Sequence, residues 1–232
     1  MIFMKEGKGP SSPPRILIWV TLVTLLVVVA LTLQLHKKAP PPAIPIEVHG
    51  PTIGYEHATV HVVLFEEPKC VNCEKFNDLI FPKLKQEYID TNKVKYTLVP
   101  LSFIHGSMPA AVALLCVYNE NPLYPNAPLF FEYLDYMYEQ KPDEHADWAT
   151  LPTLLSFAKG TSPAINPKQL ATCIEKETYR VRIEKNNAYA RKLMGGVIGT
   201  PALYVNGIPV QDLSYSAIKG LIDHELEKEK NK

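Results

Sequence analysis

The chain has 232 residues, of which 47% are hydrophobic and 21% are charged, a composition that supports a folded domain and excludes disorder throughout. Lysine and arginine together number 24, as do aspartate and glutamate, so neither a basic surface for nucleic acid nor an acidic solvating tail is indicated. The four cysteines are too few for a disulfide-built scaffold of this length.

An uncharged apolar run extends over residues 16–35, about the length that a helix needs to cross a bilayer. We predict a single transmembrane signal anchor at 16–35, preceded by a cytoplasmic N-terminus at 1–15. A cleaved signal peptide is the alternative, but its apolar region is usually only about 7–15 residues long. No small-x-small cleavage site follows Ala30. Basic residues before the run barely outnumber those after it, so charge alone gives little on orientation.

The segment after this run, 36–58, is predicted to be a linker. Its residues 39–45 are rich in proline, which favours an extended polyproline II conformation and resists packing into a core. We therefore expect a semi-rigid spacer between the anchor and a folded domain.

The first part of that domain, 59–104, has the pattern of a β-α-β unit. Residues 59–65 form an almost unbroken run of β-branched and apolar side chains, typical of a strand covered on both faces. A helix begins at Cys70 and is expected to kink near Pro82, because proline has no N–H to donate. A second strand follows at 94–101.

The middle of the chain, 105–194, shows helical periodicity and no strand alternation. Its last helix has Asn166 as N-cap and Pro167 in the first position, and is predicted to continue to about Leu193. Three shorter helices are predicted at 108–118, 129–138 and 152–158. We interpret the whole segment as a helical insertion.

The last part, 195–228, contains Asn206-Gly207 between two apolar runs, a strong signal for a type I′ hairpin. Pro209 makes the second strand an edge strand. The strands are predicted at 202–205 and 208–211, and a final helix at 214–228.

Cys70 and Cys73 form a CxxC motif at a strand-to-helix junction. Unpaired N–H groups and the dipole at the helix N-terminus stabilise a thiolate at Cys70, with Lys69 adding a nearby positive charge. Cys73, one turn further along, can attack a mixed disulfide formed at Cys70 and resolve it. Val71 and Asn72 form the dipeptide between the two cysteines.

Two other interpretations of the motif are weaker. Zinc needs four ligands, and Cys116 and Cys173 do not form a second CxxC, although His105 and His145 are also available. We therefore expect no metal. A purely structural disulfide between cysteines so close in sequence gains little chain-entropy stabilisation.

A second motif, Gly199-Thr200-Pro201, precedes the hairpin. The strand that leads into the CxxC motif, the helical insertion and this second motif follow one another in the order found in a known family. The chain resembles the DsbA-like branch of the thioredoxin superfamily over roughly 60–226. The fold implied is α/β: a thioredoxin fold with an inserted all-helical subdomain, preceded by a single N-terminal transmembrane helix.

The resemblance implies that Pro201 is cis and faces the active-site disulfide. It also implies that Thr200 presents backbone hydrogen-bonding groups to an extended substrate peptide, in a groove beside Cys70. The alternative is that Pro201 only ends an edge strand.

The chain departs from the family in two ways. Leu64 stands where family members often have a buried acidic residue, while Glu66 and Glu67 are expected to point toward solvent. Proton transfer to or from Cys73 is therefore expected to use water or Glu66. The Val71-Asn72 dipeptide lacks the histidine of the most strongly oxidising relatives, which predicts a milder oxidant than DsbA at about −120 mV.

Cys116 and Cys173 fall on helices of the insertion. Buried free thiols are one possibility. In an oxidising compartment we favour a structural disulfide between them.

We predict a thiol–disulfide oxidoreductase that oxidises secreted or envelope proteins through the Cys70–Cys73 disulfide, without any other cofactor. Its expected partners are unfolded or reduced secreted proteins and a membrane redox partner of DsbB type. The catalytic domain is predicted to be monomeric and extracytoplasmic (periplasmic), held by a single span in the inner or cytoplasmic membrane. The alternatives are a reductase or isomerase of the same fold, and a non-catalytic, membrane-tethered peptide-binding or chaperone module.

Overall fold

The structure is a computed structural model that describes residues 15–35 and 41–230. It divides into two compact units, Met1–Pro41 and Pro42–Lys232. The second unit contains all the strands of the sheet and all the cysteines.

Within the first unit, helix α1 covers Arg15–Leu35. The side chains of α1 are described at residues 18–29, and among the described residues of the chain no helix is both long enough and apolar enough to cross a membrane. The anchor at 16–35 therefore stays a prediction. The cytoplasmic segment predicted at 1–15 lies outside the described residues except for its last position.

The second unit is built on a five-stranded sheet in the order β1-β3-β2-β4-β5. Strands β2 and β3 are parallel, and every other neighbouring pair is antiparallel. The strands are β1 Thr52–Gly54, β2 Val60–Glu66, β3 Val94–Pro100, β4 Ala202–Val205 and β5 Ile208–Val210. The central β2 is covered on both faces, because its alternate residues enter two different apolar clusters.

Between β2 and β3 the chain forms helix α2 (Val71–Leu79), helix α3 (Phe81–Leu84) and a π-helical turn at Lys85–Ile89. The break falls at Ile80, which ends α2 and begins α3. Pro82 at the start of α3 has no N–H to continue the α2 hydrogen-bond ladder.

Five helices connect β3 to β4, and a last helix, α9 (Tyr215–Lys230), follows the hairpin. The five are α4 Met108–Tyr118, α5 Ala127–Gln140, α6 Leu151–Thr161, α7 Pro167–Glu175 and α8 Arg180–Leu193. Asn206 and Gly207 have φ angles of +47° and +79° at the hairpin turn. A type I′ turn requires this positive pair.

The single helix predicted from Asn166 to Leu193 is wrong, because the chain turns between α7 and α8. Glu177 in this turn has a φ of +47°, and the Thr178 N–H donates to the Cys173 carbonyl oxygen at 3.1 Å. Because of this turn, both α7 and α8 pack against α4, whereas a single straight helix would extend away from α4.

Part of the predicted linker at 36–58 packs onto the domain. The Ile44 N–H donates to the Gly207 carbonyl oxygen at 2.9 Å, and Ile46 and Val48 lie against the cluster on one face of the sheet. Strand β1 follows in the same segment. Residues 39–45 are rich in proline, but Ile46 and Val48 after them are alternating apolar residues that pack on the domain as strand residues do. Residues 36–40 lie outside the described part of the chain.

Candidate active site

The end of β2 places the two CxxC cysteines at the start of α2. Cys70 is the N-cap, with extended backbone angles of φ −65° and ψ 123°, and Cys73 lies in the first helical turn. Both are free thiols. Cys70 is 7% exposed, whereas Cys73 is completely buried. A substrate can therefore reach the first sulfur more easily than the second.

The surroundings of Cys70 favour its thiolate. A hydrogen bond from the Cys73 thiol is the largest cause that lowers the pKa of Cys70, to about 5. Thr200 and the backbone N–H groups of Cys73 and Asn72 lower this pKa further, against the opposing effect of burial. Cys70 is thus suited to act as nucleophile and as leaving group.

The surroundings of Cys73 favour its protonated form. Burial raises the pKa of Cys73 well above its usual value, and the hydrogen bond to Cys70 and the nearby Glu66 add to this effect. The two sulfurs, three positions apart, therefore differ in charge state, because one proton is held on Cys73 while Cys70 carries the negative charge.

The loop before β4 faces Cys70. The Thr200–Pro201 peptide bond is cis, and the Cys70 Sγ lies 3.6 Å from the Thr200 carbonyl oxygen. The Thr200 hydroxyl oxygen is buried and has no hydrogen-bond partner in the described part of the chain. The loop thus meets the CxxC motif across 130 residues of sequence.

A cleft of about 390 Å³ opens beside these residues. Leu79 contributes an apolar side chain that is 63% exposed. The lining also includes Asn72, Phe76, Thr200, Pro201 and Leu213. An apolar cleft with backbone hydrogen-bonding groups at its rim suits an extended peptide.

The expectation that Glu66 and Glu67 point toward solvent is wrong. Glu66 is 3% exposed and Glu67 is completely buried. Burial raises the pKa of Glu66 to about 8 and that of Glu67 to about 7. The alternation of side chains along β2 indicates that Glu66 is buried, since it falls on the same face of the strand as the buried Leu64.

No sequence motif indicates a role for Tyr138 on α5, but its hydroxyl donates to Glu66 Oε1. The nearby charge of Glu66 also raises the pKa of the Cys73 thiol. Tyr138, Glu66 and Cys73 are all buried, and Tyr138 and Glu66 form a hydrogen-bonded pair. No local pattern marks Tyr138, because the contact joins residues 72 positions apart.

Lys69 and Val71, on either side of Cys70, each make a hydrogen bond to a distant segment. The Lys69 ammonium is buried and donates to the His105 carbonyl oxygen at 2.9 Å. The Val71 N–H donates to Glu144 Oε2 at 3.1 Å, a contact that the sequence does not predict. Glu144 belongs to the loop between α5 and α6, so the helical insertion reaches the start of the active-site helix.

Cys116 and Cys173 form a disulfide that joins α4 to α7, with their Cα atoms 6.0 Å apart. They are therefore not available as zinc ligands. Among the residues that the structure describes, no cluster of three or more histidine, cysteine, aspartate or glutamate side chains could hold a metal ion.

Comparisons with known proteins agree with this geometry. The family model described as Thioredoxin matches residues 47–224. Disulfide bond formation protein D of Bacillus subtilis is 34% identical over 178 residues, which are 76% of this chain and 77% of that protein.

Two solved structures are similar over most of the domain. The crystal structure of Chlamydia trachomatis DsbA has a TM-score of 0.72 and 37% identity, and the match covers 80% of this chain and 96% of that one. The crystal structure of oxidised BdbD from Bacillus subtilis has a TM-score of 0.69 and 33% identity, with 77% and 93% covered. The α/β thioredoxin-like fold with a helical insertion is thereby confirmed.

Proposed function

We propose that this chain, which belongs to the thioredoxin family and within it to the DsbA-like thiol–disulfide oxidoreductases, oxidises dithiols of secreted or envelope proteins. The observation that carries the proposal is the contrast between the Cys70 and Cys73 thiols. A low pKa at Cys70 makes it a good leaving group, and this favours donation of a disulfide.

In the proposed reaction, a substrate thiolate attacks Cys70 Sγ of the oxidised pair, and the bond between Cys70 and Cys73 breaks. Cys73 leaves as a thiolate and takes up a proton. A second substrate thiolate then attacks the substrate sulfur of the mixed disulfide, and Cys70 leaves as a thiolate. The substrate loses two electrons as its disulfide forms, and the CxxC pair gains them.

Glu66 is the proposed proton donor to Cys73. Its pKa of about 8 keeps it protonated near neutral pH, and Tyr138 holds its carboxyl group in place. This assignment is supported by burial, which keeps bulk water away from Cys73.

The cleft beside Cys70 is the proposed substrate groove. Thr200 and Pro201 would align the main chain of an extended peptide, and the exposed Leu79 would contact its apolar side chains. Thr200 lies within reach of the Cys70 sulfur, so a bound peptide would be held next to the reacting atom.

We further propose that residues 16–35 anchor the chain in the inner or cytoplasmic membrane, with 1–15 cytoplasmic and the monomeric catalytic domain in the periplasm. The apolar run supports the anchor. The Cys116–Cys173 disulfide supports an oxidising compartment. A membrane partner of DsbB type would reoxidise the Cys70–Cys73 pair after each turnover.

The reduction potential of the full chain in glutathione buffers tests the proposal, with Cys70→Ser as the control that has no transition. A potential above about −200 mV is expected, but below the value of about −120 mV for DsbA because of Val71-Asn72. A potential near that of thioredoxin, about −270 mV, would instead favour a reductase. A wild-type chain without any transition would leave only a non-catalytic peptide-binding module.

A further inference from the structure

The helical insertion supplies a carboxylate to the start of α2. The Val71 N–H is the first of the helix, and it donates to Glu144 Oε2 at 3.1 Å. The adjacent N-cap, Cys70, makes no capping hydrogen bond with its own side chain. Glu144 therefore accepts from one of the N–H groups at the helix N-terminus that have no partner within the helix.

Two carboxylates, those of Glu144 and Glu74, lie at the first turn of α2, and they differ in the positive charge beside them. Glu74 pairs at 2.5 Å with Lys141, whose side chain is only 2% exposed. Glu144 Oε1 lies 3.8 Å from Nε2 of His145, whose side chain is 85% exposed and carries a charge only when protonated. An exposed imidazole at that distance screens a carboxylate weakly.

The Glu144 charge acts on the two redox states of Cys70 differently. In the reduced state the Cys70 thiolate and the Glu144 carboxylate share the positive end of one helix and repel each other. In the oxidised state the sulfur carries no charge, and Glu144 meets no repulsion. The carboxylate therefore disfavours the reduced state relative to the oxidised one.

We propose that Glu144 is a positioning residue of the helical insertion that sets the redox balance of the Cys70–Cys73 pair and makes its disulfide a weaker oxidant. This inference rests on the proposed function. It assigns a redox role to the loop between α5 and α6, through the charge that this loop brings to the Val71 N–H.

The test compares three variants of the full chain by their equilibrium with glutathione. Glu144→Gln keeps an oxygen that can accept from Val71 but removes the charge, so its disulfide should become about fivefold more oxidising, which is about 20 mV. Lys141→Met leaves Glu74 without its ion pair and should shift the equilibrium in the opposite direction. Asp143→Asn, in the same loop, is the matched control and should behave as wild type.

Opposite shifts for Glu144→Gln and Lys141→Met support the inference, because one variant removes a negative charge near the start of α2 and the other removes a positive one. An unchanged equilibrium in folded Glu144→Gln would overturn it and leave Glu144 as a helix cap only. An equal shift in Asp143→Asn would also overturn it, since the effect would then not depend on the Val71 contact. If the wild-type chain has no redox transition, the proposed function fails first.

Discussion

Cys70 and Cys73 lie within one turn at the start of α2, whereas Cys116 and Cys173 are 57 residues apart and join two helices of the insertion. The first pair is present as two thiols, and the second as a disulfide. The first pair also sits beside an open cleft and the Thr200–Pro201 loop, and the second joins α4 to α7.

The difference between the pairs lies in charge as well as position. Hydrogen bonds and the helix N-terminus lower the pKa of Cys70, while burial raises the pKa of Cys73. The thiolate is thus favoured at Cys70 and the protonated thiol at Cys73. A sulfur becomes reactive through such surroundings, whereas a bond between distant helices mainly restricts the unfolded chain.

Substitutions at the two pairs should separate activity from stability. Cys70→Ser should reduce oxidation of a dithiol peptide by at least about a thousandfold, because the nucleophile is lost. The double variant Cys116→Ala/Cys173→Ala should keep this activity but lose about 2–4 kcal/mol of unfolding free energy, measured by urea denaturation. Loss of exchange in the folded double variant would mean that the second pair takes part in the reaction.

The CxxC site could be predicted from the sequence because its determinants are local. A strand, two cysteines and the first turn of a helix occupy consecutive residues, and the Asn206-Gly207 turn is equally short. Local propensity and turn chemistry determine such features.

The rest of the site depends on contacts between distant segments. Tyr138 reaches Glu66 from 72 residues away, and Glu144 reaches Val71 from 73. A single sequence gives no sign of either contact. Strand alternation predicts that Glu66 is buried, whereas its charge and its place next to a turn predict that it is exposed. The turn between α7 and α8 has no clear signal in the sequence, because Glu177 is not a residue that commonly ends helices.

Within the first pair, the influence of one cysteine on the other can be measured. The Cys73 thiol is the largest cause of the low pKa of Cys70, about 5, against an ordinary value of 9.0. Cys73→Ala should therefore raise the pKa of Cys70, as followed by ultraviolet thiolate absorbance or by the pH dependence of alkylation. Cys70→Ser controls for the signal of Cys73, which should not titrate in this range. An unchanged midpoint in Cys73→Ala would show that Thr200 and the helix N-terminus set the charge of Cys70 without the Cys73 thiol.

Glu66→Gln should change how stability depends on pH. Burial raises the pKa of Glu66 to about 8 from the ordinary value of 4.5, so between these values the folded chain binds more protons than the unfolded chain. The stability that this group contributes is present below the lower value and is lost as pH rises through the higher one.

Glu66→Gln removes this loss and keeps an oxygen that can accept from Tyr138. Its gain in unfolding free energy over wild type should be near zero at about pH 4 and reach roughly 4 kcal/mol at about pH 8. Urea denaturation with the Cys70–Cys73 pair oxidised measures it without a contribution from the thiolate. The exposed Glu132→Gln should run parallel to wild type. A pH-independent difference for Glu66→Gln would mean that Glu66 ionises normally, and the proton reaching Cys73 would then have to come from water.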